Sequence, residues 1–336
     1  MLFLFLFYSF LIFVISIYLK KKNYYLNYTG DNHQIFTNDK NIPLVGGIAL
    51  IIPALLVNPN NYSLNLFLIL IFSIGFFSDT KILISPKLRF LLQLIIIIFS
   101  IYILKLEISS SRLIFFDNLL ESSSFNLLFT AFCLLILING SNFIDGLNSL
   151  LVTYMSIVIY TLIKLNFVPE IINFQNNLNY FLIFLIILMF LNFKNLLMLG
   201  DAGAYILSFF IGYLIIKSHN FNMYVSPYFF ITLIWYPCFE NLFSIIRKLS
   251  SSLSPLNPDS NHLHQLFFYL VNTKMFKNKI VSNNLSSAII NSFNFVILYI
   301  AAINPYNTIY QIKLISFSIA CYILAFFLLK NKINKF

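Results

Sequence analysis

Charge is what this sequence has least of. Only 10% of its 336 residues are Asp, Glu, Lys or Arg, where a soluble domain carries about 25%. Apolar residues make up 60% of the chain and mean hydropathy is +0.86. A water-facing surface cannot be built from so few charges, which excludes a soluble enzyme and a disordered chain. Cysteine is also scarce. Cys133, Cys238 and Cys321 all sit inside apolar runs, as buried packing residues do, and they argue for neither a disulfide scaffold nor a zinc site. No basic residue precedes the apolar stretch Leu2 to Leu19, whereas Lys20, Lys21 and Lys22 follow it. A cleaved signal has the opposite order, so this stretch reads as a retained helix with its N-terminus outside. What remains is an all-α, polytopic membrane protein forming a single membrane domain over residues 1–336.

Eleven apolar runs are candidate spans: 2–19, 43–58, 63–78, 88–105, 125–142, 147–166, 178–193, 202–217, 227–246, 286–303 and 310–329. With the N-terminus outside, 16 of the 21 Lys and Arg residues fall in inner segments and 5 in outer ones. That bias obeys the positive-inside rule and puts the C-terminus in the cytoplasm. It also explains the net charge of +10 without nucleic acid. The longest polar stretch, Arg247 to Asn284, reads as an inner loop.

Acids are few, 11 in all, and their placement is informative. Glu107, Asp117, Glu121 and Glu170 fall outside, and Asp31, Asp39 and Asp259 in inner loops. Asp79, Asp145, Asp201 and Glu240 stand at or within apolar helix ends, where an ionisable residue is costly and points to function. The topology brings Asp79, Asp145 and Asp201 to one face. Three carboxylates converging there suit a divalent cation, and chance capping of helix ends is the plainer alternative.

Four polar clusters carry the chemistry. In the first, Asp79 ends a span and Lys81, Lys87 and Arg89 follow, with Gln93 beyond. An acid beside bases suits a metal–phosphate site, although a short basic loop obeys positive-inside on its own. In the second, Asn139, Asn142 and Asp145 are spaced i, i+3, i+6 on one helical face, with Gly146 and Asn148 after them. Carboxamides can read a nucleobase edge or simply bond neighbouring helices. In the third, Asp201 lies among Gly200, Ala202 and Gly203, open to close ligand approach or acting as an N-cap. In the fourth, His262 and His264 follow Asp259 in the long loop. No further ligand completes a zinc set, and histidines can donate to phosphate. His33 and His219 carry no assignment.

Taken in order, these clusters resemble the polyprenyl-phosphate N-acetylhexosamine-1-phosphate transferases, the glycosyltransferase family 4 type, from Pro43 to about Gln265. Pro43 to Gly47 is similar to the family's Pro-Arg-x-Gly-Gly stretch. Asp79 matches the second acid of its Asp-Asp pair, and Arg89 and Gln93 its Arg-x-x-x-Gln. Asn139, Asn142, Asp145 and Gly146 match Asn-x-x-Asn-x-x-Asp-Gly. Asn192, Gly200, Asp201 and Gly203 match an Asn and Gly-Asp-x-Gly. His262 and His264 match two positions of a His-x-His-His loop. The sequence departs from the pattern at Ser78, where the first Asp usually stands, at Leu44 for Arg, at Gln265 for the last His and at Ala204 for a common Ser.

The resemblance implies transfer of N-acetylhexosamine-1-phosphate from a UDP-sugar to polyprenyl (undecaprenyl) phosphate with release of UMP, initiating a cell-surface glycan such as O-antigen or a wall polymer. It implies a multi-pass protein of the bacterial plasma (inner) membrane, with a cytoplasmic site built from segments 20–42, 79–89, 139–148, 192–203 and 247–285. Asp79, Asp145 and Asp201 are its expected catalytic acids. Mg²⁺ (Mn²⁺ as substitute) is expected on Asp201, with Asp79 as a second ligand or positioning group. Asn139, Asn142, Asn148 and Asn192 are expected around the nucleotide, and Lys81, Lys87, Arg89, His262 and His264 on phosphates. A homodimer is a further expectation. The alternatives are a phospho-MurNAc-pentapeptide translocase of the same superfamily, a transporter, and a catalytically silent lipid- or nucleotide-binding relative.

Overall fold

The computed structural model describes residues 2–26, 42–169, 174–252, 254 and 261–333. The expectations that fall on Asp31, His33, Asp39, Glu170 and Asp259 lie outside them. Among the described residues there are fourteen helices and no β-strand beyond an isolated Leu26–Pro43 bridge. In chain order they are α1 (Leu2–Lys22), α2 (Gly46–Val57), α3 (Tyr62–Asp79), α4 (Pro86–Leu104), α5 (Ile114–Leu120), α6 (Ser123–Ile144) and α7 (Leu150–Lys164). There follow α8 (Phe174–Phe193), α9 (Gly200–Phe221), α10 (Pro227–Leu233), α11 (Trp235–Ser250), α12 (Leu263–Lys274), α13 (Lys279–Ile303) and α14 (Thr308–Ile333).

Local chemistry sets several boundaries. Asn61 caps α3 by accepting the Leu64 amide at 3.0 Å, and Asn278 caps α13 through the Ile280 amide at 3.0 Å. Ser85 caps α4, with Pro86 at its first turn, where a missing N–H costs nothing. Lys105 closes α4 in the left-handed conformation at φ 50°.

Among the described residues eight helices are long and apolar enough to cross a membrane, or nine when the bent pair α10–α11 counts as one. This falls short of the eleven expected. Each of the eleven apolar runs is helical, with 227–246 forming the bent pair. However, α2 has 12 residues and α7 has 15. At about 1.5 Å per residue they reach roughly 18 and 23 Å, short of a hydrocarbon core of about 30 Å. Their apolar character comes largely from burial against protein: most of α7 and the Gly46, Gly47, Ala49, Leu50, Pro53, Ala54 and Val57 side of α2 are covered. The stretch read as a long loop after Arg247 contains α12, and α13 begins seven residues before the expected 286.

The bundle is organised around α9. Its most apolar 18-residue window is 83% buried, against 22% for the peripheral α1. Outward faces carry large apolar side chains such as Phe3, Tyr102, Ile114 and Leu328, as contact with lipid allows. The α10–α11 pair bends by 76°. The break frees backbone groups inside the bundle, and Tyr154 from α7 fills it: its hydroxyl donates to the Leu233 carbonyl at 2.9 Å and accepts the Tyr236 amide at 3.5 Å. Broken helices are tolerated at membrane depth only with such replacement partners.

Candidate active site

The site begins with a close approach of helices. A methyl group placed on Gly75 of α3 would lie 2.4 Å from the Ala202 Cα, inside α9's first turn. Small residues let backbones meet this way. On the other side, the Gly46 and Gly47 amides donate to the Met198 and Leu199 carbonyls at 2.9 and 3.0 Å, and the Met198 amide returns to Pro43 O at 2.8 Å. The Pro43–Gly47 stretch is therefore a backbone clamp on the approach to α9.

This contact brings the C-terminus of α3 to the N-terminus of α9. Asp79 accepts the Asp201 amide on Oδ1 at 2.8 Å and the Ala202 amide on Oδ2 at 3.1 Å. A carboxylate at a helix N-terminus satisfies orphan donors and meets the positive end of the dipole. The sequence had left open that Asp201 caps its own helix. Instead Asp201 lies within the first turn and Asp79 does the capping across the helix pair. Gly200 makes this possible: its φ is +72°, and a Cβ there would sit 2.6 Å from an Asp79 oxygen.

Asp201 is thereby turned toward α4. Arg89 Nη1 donates to Asp201 Oδ2 at 2.6 Å and to Ser78 Oγ at 2.5 Å, while Ser78 Oγ donates to Asp201 Oδ2 at 2.6 Å. Ser78 thus stands inside an acid–guanidinium contact. Lys81, at φ 60°, and Lys87 flank this corner on the exposed α3–α4 turn.

Asn139 and Asn142 occupy the last turns of α6, and Asp145 is its C-cap residue. Asn139 donates to Gln93 Oε1 at 3.2 Å and to the Leu135 carbonyl at 2.9 Å. Among the described residues the Asp145 carboxylate has no hydrogen-bond partner. Burial, with the negative charges of Asp201 and Asp79 adding to it, pushes its pKa well above the usual carboxylate range. The three acids therefore share one electrostatic neighbourhood at one end of the bundle.

Asn148 and Asn192, expected around a nucleotide, are instead engaged by the protein. Asn148 donates to Asn195 Oδ1 at 2.7 Å and Asn284 Oδ1 at 2.9 Å, and its amide goes to Asn283 Oδ1 at 2.7 Å. Asn192 accepts the Ser149 amide and donates to the Leu197 carbonyl at 2.8 Å. Both are buried. They tie the turn after Asp145 to the segment leading into α9 and to α13, so they support the site from beneath.

His262 and His264, expected on phosphates, are also buried. His262 Nδ1 lies 2.9 Å from Glu240 Oε1, whose other oxygen accepts the Tyr322 hydroxyl at 2.7 Å. The His262 ring packs on Phe143, with centroids 5.0 Å apart, and on His264 at 5.7 Å. Among the described residues neither His264 nitrogen has a hydrogen-bond partner, and a Cβ on Gly146 would meet Nε2 at 2.5 Å. Burial holds the His264 pKa down to about 3, so it is a neutral packing group beneath the Asp145–Gly146 turn. Glu240 and Tyr322 were not assigned from sequence. The one signal was an acid inside an apolar helix; nothing local marks Tyr322.

For a cation, Asp201 keeps Oδ1 without a partner among the described residues, and Asp145 keeps its whole carboxylate. Among those residues no three His, Cys, Asp or Glu side chains are grouped so as to hold an ion. An all-oxygen set with few protein ligands suits Mg²⁺, which retains waters and takes substrate phosphate oxygens. The residues fit that ion and do not form a closed zinc cage.

The sequence model described as glycosyl transferase family 4 matches residues 62–219. Two similar curated proteins are each called undecaprenyl-phosphate alpha-N-acetylglucosaminyl 1-phosphate transferase, one from Salmonella typhi and one from Salmonella typhimurium. Each is 26% identical to this chain over 241 residues, covering 67% of it. The chain spans 65% of the length of each relative. The family match runs from α3 through most of α9 and so contains Ser78, Asp79, Arg89, Asn139, Asp145 and Asp201. Glu240, His262 and His264 lie beyond it.

Proposed function

We propose that this protein is a family 4 glycosyl transferase that transfers a sugar-1-phosphate from a UDP-N-acetylhexosamine to undecaprenyl phosphate, releasing UMP, at the cytoplasmic face of a bacterial plasma membrane. The observation that carries the reading is the corner where Asp79 holds α9 and Asp201 meets Arg89, beside the unpartnered Asp145. Similarity to the two Salmonella transferases supports the choice of substrates.

In this reaction an oxygen of the lipid phosphate bonds to the sugar-bearing phosphorus. The bond from that phosphorus to the bridging oxygen breaks, and UMP leaves with the electron pair. Two anions must meet, so catalysis is positioning and charge neutralisation. Asp201, with Asp145 near it, would hold Mg²⁺, which when bound would supply neutralising charge on the phosphate oxygens. Asp79 acts as a positioning group, since both its oxygens already hold the α9 amides. Arg89 pairs with Asp201 until phosphate arrives and then offers its guanidinium to the phosphate, with Lys81 and Lys87 beside it. Asn142, on the face shared with Asp145, meets the nucleotide.

Ser78 in place of an acid is compatible with this chemistry. A phosphate monoester has a second pKa of about 6, so the attacking phosphate is already ionised at neutral pH and needs no protein base.

The test is UMP release by purified protein given undecaprenyl phosphate, Mg²⁺ and a panel of UDP-N-acetylhexosamines. Release from one donor, absent without lipid and in Asp201→Asn, supports the transferase and names its sugar. No release from any donor by folded protein overturns it in favour of a catalytically silent relative.

A further inference from the structure

A carboxylate buried in an apolar helix is expensive, and Glu240 is only 1% exposed. It stands in α11, just past the break that follows α10, and both oxygens are engaged: Oε1 with His262 Nδ1 at 2.9 Å, Oε2 with the Tyr322 hydroxyl at 2.7 Å. An ionised carboxylate only accepts hydrogen bonds, so Nδ1 carries the hydrogen it donates to Glu240; the side chain also closes a capping box at the start of α12, where it accepts the Gln265 amide and Gln265 Oε1 accepts the His262 amide at 3.2 Å. The ring so held lies on Phe143, with centroids 5.0 Å apart. Phe143 is in the last turn of α6, next to Asn142 and two residues before Asp145. The imidazole therefore joins the α11–α14 side of the bundle to the acid-bearing end of α6. Holding a loop in place would need only a neutral acceptor; a buried charge that selects one imidazole nitrogen does more.

We infer that Glu240 is a positioning residue for the transfer reaction: it grips His262 by Nδ1, holds the ring against the end of α6 beside Asn142 and Asp145, and fixes which ring nitrogen carries the proton. Tyr322 anchors the second oxygen of Glu240 and keeps the carboxylate aimed at the ring. The inference rests on the transferase reading for its consequence, and on the Glu240–His262 contact for its mechanism.

The experiment has one arm for each, both on the full-length protein in detergent or nanodiscs. The chain has 4 histidines, so ¹⁵N-histidine labelling gives a readable spectrum, and His262→Gln assigns the His262 ring by its disappearance. We expect hydrogen on Nδ1 of His262 in the wild type and loss of that state in Glu240→Leu, whose side chain offers no acceptor; Glu240→Gln keeps a neutral acceptor and serves the turnover arm. In the turnover arm Glu240→Gln lowers kcat on the order of 10–100-fold, as loss of a ligand-orienting carboxylate does elsewhere. The double variant Glu240→Gln/His262→Gln matches His262→Gln alone to within about twofold, because residues acting through one another are not additive. If Glu240→Leu does not fold, Glu240→Asp keeps the charge and draws it back by one carbon; the same ring change is expected, with a smaller loss of kcat. An unchanged His262 proton in folded Glu240→Leu or Glu240→Asp overturns the inference, as do losses that multiply in the double variant. Wild-type protein that releases no UMP counts against the transferase reading; the ring-proton arm then decides the Glu240–His262 link by itself.

Discussion

The carboxylate of Asp79 receives the first amides of the helix that carries Asp201, at 2.8 and 3.1 Å. One acid thereby fixes where another points: with α9 held at its N-terminus, Asp201 turns to Arg89 and Ser78. The two acids do different work because one is saturated by backbone and the other keeps an open oxygen.

Asp79→Asn follows from this division. The amide keeps one acceptor oxygen and loses the charge and the second acceptor. A stability loss of about 1–2 kcal/mol is expected from the weakened cap, together with loss of most UMP release as Asp201 shifts. Thermal unfolding in detergent and turnover, measured on the same preparation, check both; full turnover in Asp79→Asn would remove Asp79 from the site.

Ser78→Ala tests whether a protein base is needed. The substitution removes the hydroxyl that bridges Arg89 and Asp201 and leaves their direct 2.6 Å contact. General-base catalysis contributes about 10²–10⁴-fold, so turnover within about tenfold of the wild type is expected. A larger loss with unchanged stability would assign the proton to Ser78.

Gly75→Ala should damage the site from below. The added methyl meets the α9 backbone at 2.4 Å, and overpacking of this kind costs about 1–3 kcal/mol. Because α3 and α9 carry Asp79 and Asp201, separation of the helices should lower both melting temperature and turnover. Ala at Gly75 with native values in both assays would contradict the close approach.

His264 sets a pH dependence. Its pKa is about 3 in the folded protein and about 6.5 unfolded. The unfolded chain therefore takes up a proton first as pH falls. The stability contributed by neutral His264 is complete above the unfolded value and is lost between it and the folded value. Between pH 6.5 and 5 the loss is about 2 kcal/mol. Thermal melts across that range should steepen for wild type and flatten for His264→Asn; parallel curves would show that His264 is not the group responsible.

Membrane character, the helical class and the acid-bearing helix ends were legible in the sequence, because hydropathy and the cost of charge in lipid act locally. The eleven apolar runs were also real helices. Their number overstated the long spans because α2 and α7 are apolar for a different reason, burial in protein, and composition does not separate the two environments. Likewise, Asn148 and Asn192 were expected around a nucleotide because the family resemblance implies it; a polar side chain in an apolar chain must find a partner, and the sequence does not say whether that partner is substrate or protein.

By itself, then, the sequence determined that Asp79, Asp145 and Asp201 stand at helix ends with Arg89 close by, since span length and charge placement are properties of each segment. The tertiary structure alone decided what each group does: that Asp79 caps α9, that Arg89 pairs with Asp201 through Ser78's corner, and that Glu240, bonded by Tyr322 of a third helix, reaches His262. Those relations join residues separated by 11 to 123 positions, and only the packing of one helix on another, set here by Gly75 and Gly200, brings such residues within hydrogen-bond distance.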